Sequence, residues 1–171
     1  MVSGVGSAST RLVVLRGNSG SGKSTVAREL QGRYVRKLAV VGQDVLRREV
    51  LRVPDLPDNP AVALIDLVAR FALGRGMHVV IEGILYADIY GHMLRSLAAD
   101  HRGATAFFRF DLSFEETLRR HESKDCNDFG ELELRQWWRD EDALPGCQEQ
   151  IIGADQDVAA IADLIATAVR W

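Results

Sequence analysis

Lysine is almost missing from this chain: of 21 basic residues only Lys23, Lys37 and Lys124 are lysines, and the rest are arginines. Cysteine is as scarce. Cys126 and Cys147 lie in polar surroundings, too sparse for a disulfide framework, and read as free thiols of a reducing, cytoplasmic compartment. No apolar run approaches the length that crosses a bilayer, which excludes a helical membrane protein. No Lys/Arg cluster gives the basic footprint of a nucleic-acid binder, and with a net charge of −3 a nucleic-acid partner is disfavoured against a small molecule. Repeats, low-complexity tracts and linkers are absent too, so nothing in the sequence marks a second domain. Met1 to Thr10 is small and polar, without the basic start, apolar stretch or cleavage site of an export signal. It is expected to be a flexible tail, followed by one domain over residues 11–171. A hydrophobic content of 47% in 171 residues suffices for a single core. The oligomeric state is left open.

What is present is an alternation. Leu12-Val13-Val14-Leu15 is a continuous apolar run entering a Gly-rich stretch, the pattern of a buried parallel strand before a tight turn. From Lys23 to Arg33 the apolar Val26, Ala27 and Leu30 share one helical face. Further strands are expected at Leu38 to Val41, His78 to Ile81 and Thr105 to Phe110, and a weak one at Ile151-Ile152. Helices are expected over Asp44 to Leu51, Ala61 to Leu73, Tyr86 to Ala99, from Ser113 to Glu122, over Glu131 to Asp140, and over Asp155 to Val169. Ser113 with Glu116 three residues on has the form of a capping box. The polar, irregular Ser123 to Gly130 has the form of a lid, spanning about residues 120–140 with its flanking helices. Strands alternating with helices imply a parallel sheet covered on both faces.

The most specific motif is Gly17-Asn18-Ser19-Gly20-Ser21-Gly22-Lys23-Ser24, which satisfies G-x-x-x-x-G-K-[ST] between an apolar strand and an amphipathic helix. Glycines let such a loop turn its N–H groups onto phosphate oxygens, and the helix N-terminus adds partial positive charge. Lys23 is expected on the β- and γ-phosphates, Ser24 on Mg²⁺, and Thr25 on the loop or the α-phosphate. ATP and Mg²⁺ are therefore the implied cofactors. A guanine-reading N-K-x-D motif is missing, which argues against a GTPase switch. A motor or transporter would need coupling domains for which the chain has no room.

Two acids stand at strand ends, where ligand sites form in α/β sheets. Asp44 follows the second strand and can accept the proton of an attacking hydroxyl, with Arg47 one turn along to grip an anion; an N-cap is the competing role. Glu82 ends the strand Val79-Val80-Ile81 where a carboxylate secures Mg²⁺, though a structural ion pair would also suit it. Arg120 and Lys124, one helical turn apart, can close over phosphates from the lid, or simply pair with Glu116 and Asp125. Four histidines (His78, His92, His101, His121) lack metal-ligand spacing, and Trp137-Trp138 reads as packing of the lid helix.

With these residues the chain resembles the small P-loop kinases grouped around the kinase domain of polynucleotide kinase, chloramphenicol phosphotransferase and zeta-type toxins. The resemblance implies a three-layer α/β P-loop kinase fold with strand order 2-3-1-4-5. It also implies Asp44 as general base, Arg47 as an acceptor-side contact, Arg120 and Lys124 as lid contacts to ATP phosphates, and Gly153-Ala154-Asp155 near adenine. Lys124 stands where an arginine is usual and Glu82 where Asp is commoner. Asp125, Asn127 and Asp128 make the lid acidic, which favours a neutral or cationic acceptor. The expected function is transfer of the γ-phosphoryl group from ATP to a hydroxyl of a small molecule such as a nucleoside, sugar or natural product. A 5′-hydroxyl nucleic-acid kinase and a nucleotide-dependent regulatory ATPase are the alternatives.

Overall fold

The structure, a computed structural model, describes residues 4–34, 37–122 and 130–171. Five parallel strands form one sheet in the order β2-β3-β1-β4-β5. They are β1 (Arg11–Gly17), β2 (Leu38–Gly42), β3 (His78–Glu82), β4 (Ala104–Phe110) and β5 (Glu149–Ile152). The helices are α1 (Lys23–Arg33), α2 (Ala61–Gly74), α3 (Ala87–Asp100), α4 (Phe114–Glu122), α5 (Glu131–Trp137) and α6 (Val158–Val169). The strand order and the layered α/β architecture are those expected from the sequence.

The central strand explains why its run is continuously apolar. Leu12, Val13, Val14 and Leu15 are all fully buried, and they divide by parity. Leu12 and Val14 join the core that α2 and α3 cover, with Val79, Ile81, Ile65, Tyr90 and Leu94. Val13 and Leu15 join the opposite core under α1 and α6, with Val26, Leu30, Phe108 and Ile165. Each such side chain contributes about 1.5–3 kcal/mol of transfer free energy, so both faces of β1 hold the layers together.

Local chemistry moves several element ends. Asp157 accepts from the Ala160 amide at 2.7 Å, so α6 begins at Val158 rather than Asp155. Ser113 Oγ accepts from the Glu116 amide at 3.2 Å, but the Glu116 carboxylate turns to Arg119 and Arg120, leaving half of the expected capping box. α5 stops at Trp137 because Trp138 is already extended. Val45–Leu51 is a π-helical segment instead of an ordinary helix, and no residue in it is buried. β5 starts earlier than its two isoleucines suggest, because Glu149 is drawn into the sheet by charge. Residues 4–10, expected to be a flexible tail, pack against the end of α3. Val5 exchanges backbone bonds with Asp100 and Arg102, and the buried Thr10 hydroxyl lies 2.9 Å from His101 Nε2.

One feature of β1 breaks its apolar pattern. Arg16 is 1% exposed, yet its guanidinium meets Asp142 at 2.8 Å, Glu149 at 2.7 Å and the Leu85 carbonyl at 3.0 Å. Asp142 in turn accepts from the Ala87 amide at the start of α3. Removing the cation takes from Glu149, a carboxylate that is 5% exposed, its nearest counter-charge. Arg16→Ala should therefore lose about 3–5 kcal/mol in urea unfolding, whereas a loss under about 1 kcal/mol would mean that the cluster behaves as a surface pair.

Candidate active site

β1 delivers the chain to a loop, Gly17 to Gly22, that turns directly into α1. Gly20 and Gly22 have φ of +79° and +102°, backbone that a Cβ disfavours. A Cβ on Gly20 would also stand 2.8 Å from the Thr117 carbonyl oxygen. No side chain caps α1, so the positive end of the helix faces the loop. Lys23 is buried and folds back over the loop, its Nζ donating to the Asn18 carbonyl at 2.7 Å and to Ser21 Oγ at 3.1 Å. The geometry is a glycine-turned loop at an uncapped helix N-terminus with the Lys23 ammonium folded over it, a cradle suited to a polyphosphate.

β3 runs beside β1 and carries Glu82 to the same edge, Leu15 and Glu82 being register partners. Ser24 Oγ donates to Glu82 Oε2 at 3.0 Å. Burial pushes the Glu82 carboxyl up, against the opposing pull of the Lys23 ammonium and the Ser24 hydroxyl. Ser24 and Glu82 thus offer hard oxygens beside the phosphate cradle, the donor type that Mg²⁺ takes from a protein when phosphates and water supply the rest. Thr25 is exposed in the first turn of α1.

Asp44 follows β2. Its carboxylate makes no cap bond, which removes the helix-capping role as its explanation. It is held instead by Arg47 Nη2 at 3.1 Å. Arg47 also donates to the Val53 carbonyl at 3.1 Å and lies 3.9 Å from Asp55. Behind them the buried Gln43 ties three elements together. Its Oε1 accepts from the Leu85 amide at 2.9 Å, and its Nε2 donates to Asp55 at 2.8 Å and to the Tyr90 hydroxyl at 3.0 Å. Tyr90 donates to Asp55 at 2.6 Å, and burial together with that carboxylate pushes its phenol up, so it remains a donor. Gly83 must be small here, since a Cβ would come within 2.5 Å of Gln43 Cβ.

These groups border a cleft of about 450 Å³ whose lining includes Ser19 of the loop, Asp44, Arg47, Asp55 and Tyr86, together with Arg48, Trp137, Trp138 and Arg139. Tyr86, Arg139 and Asp55 are not among the individual site residues expected from the sequence, although Asp55 and Tyr86 fall in the segments Leu46 to Asp58 and Tyr86 to Arg95, where the sequence places the variable acceptor pocket. Tyr86 was read as a helix start, yet its hydroxyl donates to the Trp137 carbonyl at 2.7 Å, burial pushes its phenol up to about 12, and the Arg139 guanidinium sits 3.8 Å from the ring centre. Trp137 and Trp138 do pack, Trp138 edge-on against Phe114 at 5.3 Å, and they also face the cleft. Arg120 reaches the cradle from α4, donating to the Ser21 carbonyl at 3.2 Å and to the Ala154 carbonyl at 3.0 Å, while Glu116 holds its Nε at 2.6 Å. The turn at Gly153-Ala154-Asp155 is thereby tied to the loop. Lys124, Asp125, Asn127 and Asp128 lie outside the described residues.

The raised carboxyl of Glu82 has a cost with a definite sign. The folded protein holds that proton more tightly than the unfolded chain, so ionising Glu82 near neutral pH destabilises the fold. Glu82→Gln should raise the Tm of the nucleotide-free protein at about pH 7.5, with the gain shrinking as the pH falls and the wild-type carboxyl takes up its proton above the ordinary glutamate range. Scanning calorimetry over that fall in pH checks it; a lower Tm for the variant at neutral pH would contradict it.

Compared by sequence, the chain matches no family model and no curated protein. Compared by structure, it is similar to a gluconokinase from Sinorhizobium meliloti at 19% identity and a TM-score of 0.68, covering 96% of this chain and 93% of that one. A sugar kinase from Janibacter is similar at 20% identity and a TM-score of 0.69, covering 94% and 95%. The APS kinase of Mycobacterium tuberculosis, in complex with AMPPNP and APS, is similar at 17% identity and a TM-score of 0.63, covering 95% and 98%. At such identities these likenesses establish a common architecture, and the chain has the fold of the P-loop kinases.

Proposed function

We propose that this protein is an ATP-dependent phosphotransferase that moves the γ-phosphoryl group onto a hydroxyl of a small molecule. One observation carries the reading: the phosphate cradle opens, at Ser19, into the same cleft of about 450 Å³ that holds Asp44 and Arg47. A cleft of that size suits a small ligand, and it puts a carboxylate and a phosphate site on one cavity. The APS kinase of the same fold, whose structure contains AMPPNP together with APS, supports a division into nucleotide and acceptor sides.

In this reading the amides of residues 17–24 and Lys23 hold the β- and γ-phosphates. Lys23 then exchanges its Asn18 carbonyl for phosphate oxygen, keeping a buried ammonium paired throughout. Bound Mg²⁺ would neutralise charge on the phosphates, with Ser24 as its ligand and Glu82 reaching it directly or through water. Asp44, oriented by Arg47, accepts the hydroxyl proton as the acceptor oxygen forms its bond to the γ-phosphorus. The bond from that phosphorus to the bridging oxygen breaks, and ADP leaves. Arg120, already beside the loop, donates to the spreading negative charge, and Lys124 is assigned the same role from the lid. The lid over residues 120–140 closes on the nucleotide and excludes water.

The acceptor side is less acidic than the lid sequence suggests. Arg47, Arg48 and Arg139 accompany Asp44 and Asp55 around the cleft, so charge alone does not select a cationic acceptor. The narrower grouping with polynucleotide kinase, chloramphenicol phosphotransferase and zeta-type toxins belongs to this proposal as well. Its nucleic-acid branch calls for a basic approach path, and the cleft lining mixes Arg47, Arg48 and Arg139 with the carboxylates Asp44 and Asp55 and the aromatic Tyr86, Trp137 and Trp138.

Transfer of labelled γ-phosphate from ATP and Mg²⁺ to a panel of nucleosides, sugars, sugar acids and 5′-hydroxyl oligonucleotides tests the reading. A labelled small molecule is expected. Lys23→Ala should cut the rate by about 10²–10³ through loss of a phosphate contact. Asp44→Asn should cut it by about 10²–10⁴ while sparing nucleotide affinity. Phosphate release alone, indifferent to Asp44→Asn, would overturn the phosphotransferase reading; a labelled oligonucleotide would replace the small acceptor with a nucleic-acid end.

A further inference from the structure

The first variable residue of the phosphate loop turns its side chain away from the cradle. The Asn18 carboxamide pairs with the backbone of Arg139 at two points: Nδ2 donates to the Arg139 carbonyl at 2.9 Å, and Oδ1 accepts from the Arg139 amide at 3.1 Å. That is the pairing one strand residue makes with another, here made by a side chain. Residue 18 is tied at its other end as well, because its own carbonyl accepts from Lys23 Nζ.

Arg139 ends the wall of the cleft formed by Gln136, Trp137, Trp138 and Arg139. This wall is weakly founded. α5, which leads into it, has seven residues and a single buried side chain, Leu134. A short element with so little core opens easily, so its position depends on point attachments. Besides Asn18, those among the described residues include the Tyr86 hydroxyl on the Trp137 carbonyl, the Arg139 guanidinium over the Tyr86 ring, Trp138 edge-on against Phe114, and the exposed pair between Arg139 and Asp88 at 2.7 Å.

We infer that Asn18 is a positioning residue that couples occupancy of the phosphate loop to the placement of the acceptor wall at Trp137 to Arg139. The inference rests on the phosphotransferase reading. Phosphates that draw Lys23 off the Asn18 carbonyl free and reorient the residue-18 peptide. The carboxamide bonds carry that change to Arg139, and the guanidinium over Tyr86 and the two indoles move with it. Nucleotide binding then shapes the acceptor side before the acceptor arrives. The coupling is reciprocal, so a ligand in the cleft should also tighten nucleotide binding.

The chain has three tryptophans. Two are in the wall, and Trp171 lies against Tyr34, ring centres 4.5 Å apart. In a Trp171→Phe background, emission and acrylamide quenching therefore report the wall alone. Titration with AMPPNP and Mg²⁺ should change both signals. Asn18→Ala keeps the loop amides and should still bind AMPPNP by calorimetry while losing the emission change. Tyr86→Phe serves as the comparison: it should raise quenching with and without nucleotide, through a looser wall, and retain the response. An unaltered response in Asn18→Ala, or its loss in Tyr86→Phe alone, would overturn the inference. If Asn18→Ala binds no AMPPNP, its side chain serves the nucleotide itself and the inference also fails. If the starting protein binds none, the phosphotransferase reading falls and takes this one with it.

Discussion

A guanidinium buried at the carboxyl end of the central strand must be neutralised, and this requirement organises the functional edge of the sheet. Arg16 is 1% exposed and one residue from the phosphate loop. Its partners come from far along the chain: Asp142 from the segment after the lid helix, Glu149 from the edge strand, and the Leu85 carbonyl from the loop after β3. Glu149 also accepts from the Leu144 amide at 2.8 Å and lies 3.8 Å from Arg109, the register partner of Arg16 on β4. A charge that would be costly in isolation thereby draws the 139–149 segment over the strand ends. The wall of the cleft is continuous with that segment. Burial of one arginine and the shape of the acceptor side are thus parts of a single arrangement.

The site stores a second tension, between Lys23 and Glu82. Both are held near the loop, one an ammonium donating to the Asn18 carbonyl and Ser21 Oγ, the other a carboxylate whose ionised form burial disfavours. In the proposed function, Lys23 moves onto nucleotide phosphate, and a divalent ion offsets the charge of Glu82. Such a site is less stable than an apolar substitute would be, and that cost is what prepares it for a charged ligand. Asp44 is arranged differently: it lies at the surface, oriented by Arg47, whose other bonds reach Val53 and Asp55. The Gln43, Tyr90 and Asp55 network supports that orientation from within the core.

Legibility in the sequence followed physical range. The strand Leu12 to Leu15 and the G-x-x-x-x-G-K-[ST] loop are local patterns, and parity on β1 makes them unambiguous. Layer order could be expected because parallel strands joined through helices admit few arrangements. Asp44, Glu82 and Arg120 could be singled out because each sits at an element end, and their roles belong to the proposed function. The partners of Asn18, Tyr86, Asp55 and Arg139 could not be read in the same way, since the contacts Tyr90–Asp55, Tyr86–Trp137, Arg139–Asp88 and Asn18–Arg139 join residues 35 to 121 positions apart in the chain, which periodicity does not register. Arg16 left a faint signal, a lone charge in an apolar strand that would have had to be asked for its partners. The edge strand β5 was half hidden because Glu149 enters the sheet through an ion pair, against its propensity. The 4–10 segment was read as loose from composition, although the buried Thr10 and the His101 ring secure it.

The central claim is that triphosphate and acceptor meet in the cleft between Asp44 and the Trp137 to Arg139 wall. A crystal structure with AMPPNP and Mg²⁺ tests it most directly. The account predicts a triphosphate seated on the amides of residues 17–24, Lys23 Nζ moved from the Asn18 carbonyl to phosphate, and the γ-phosphate facing the cavity beside Asp44. A γ-phosphate directed to open solvent away from Asp44, with Lys23 still on Asn18, would contradict it.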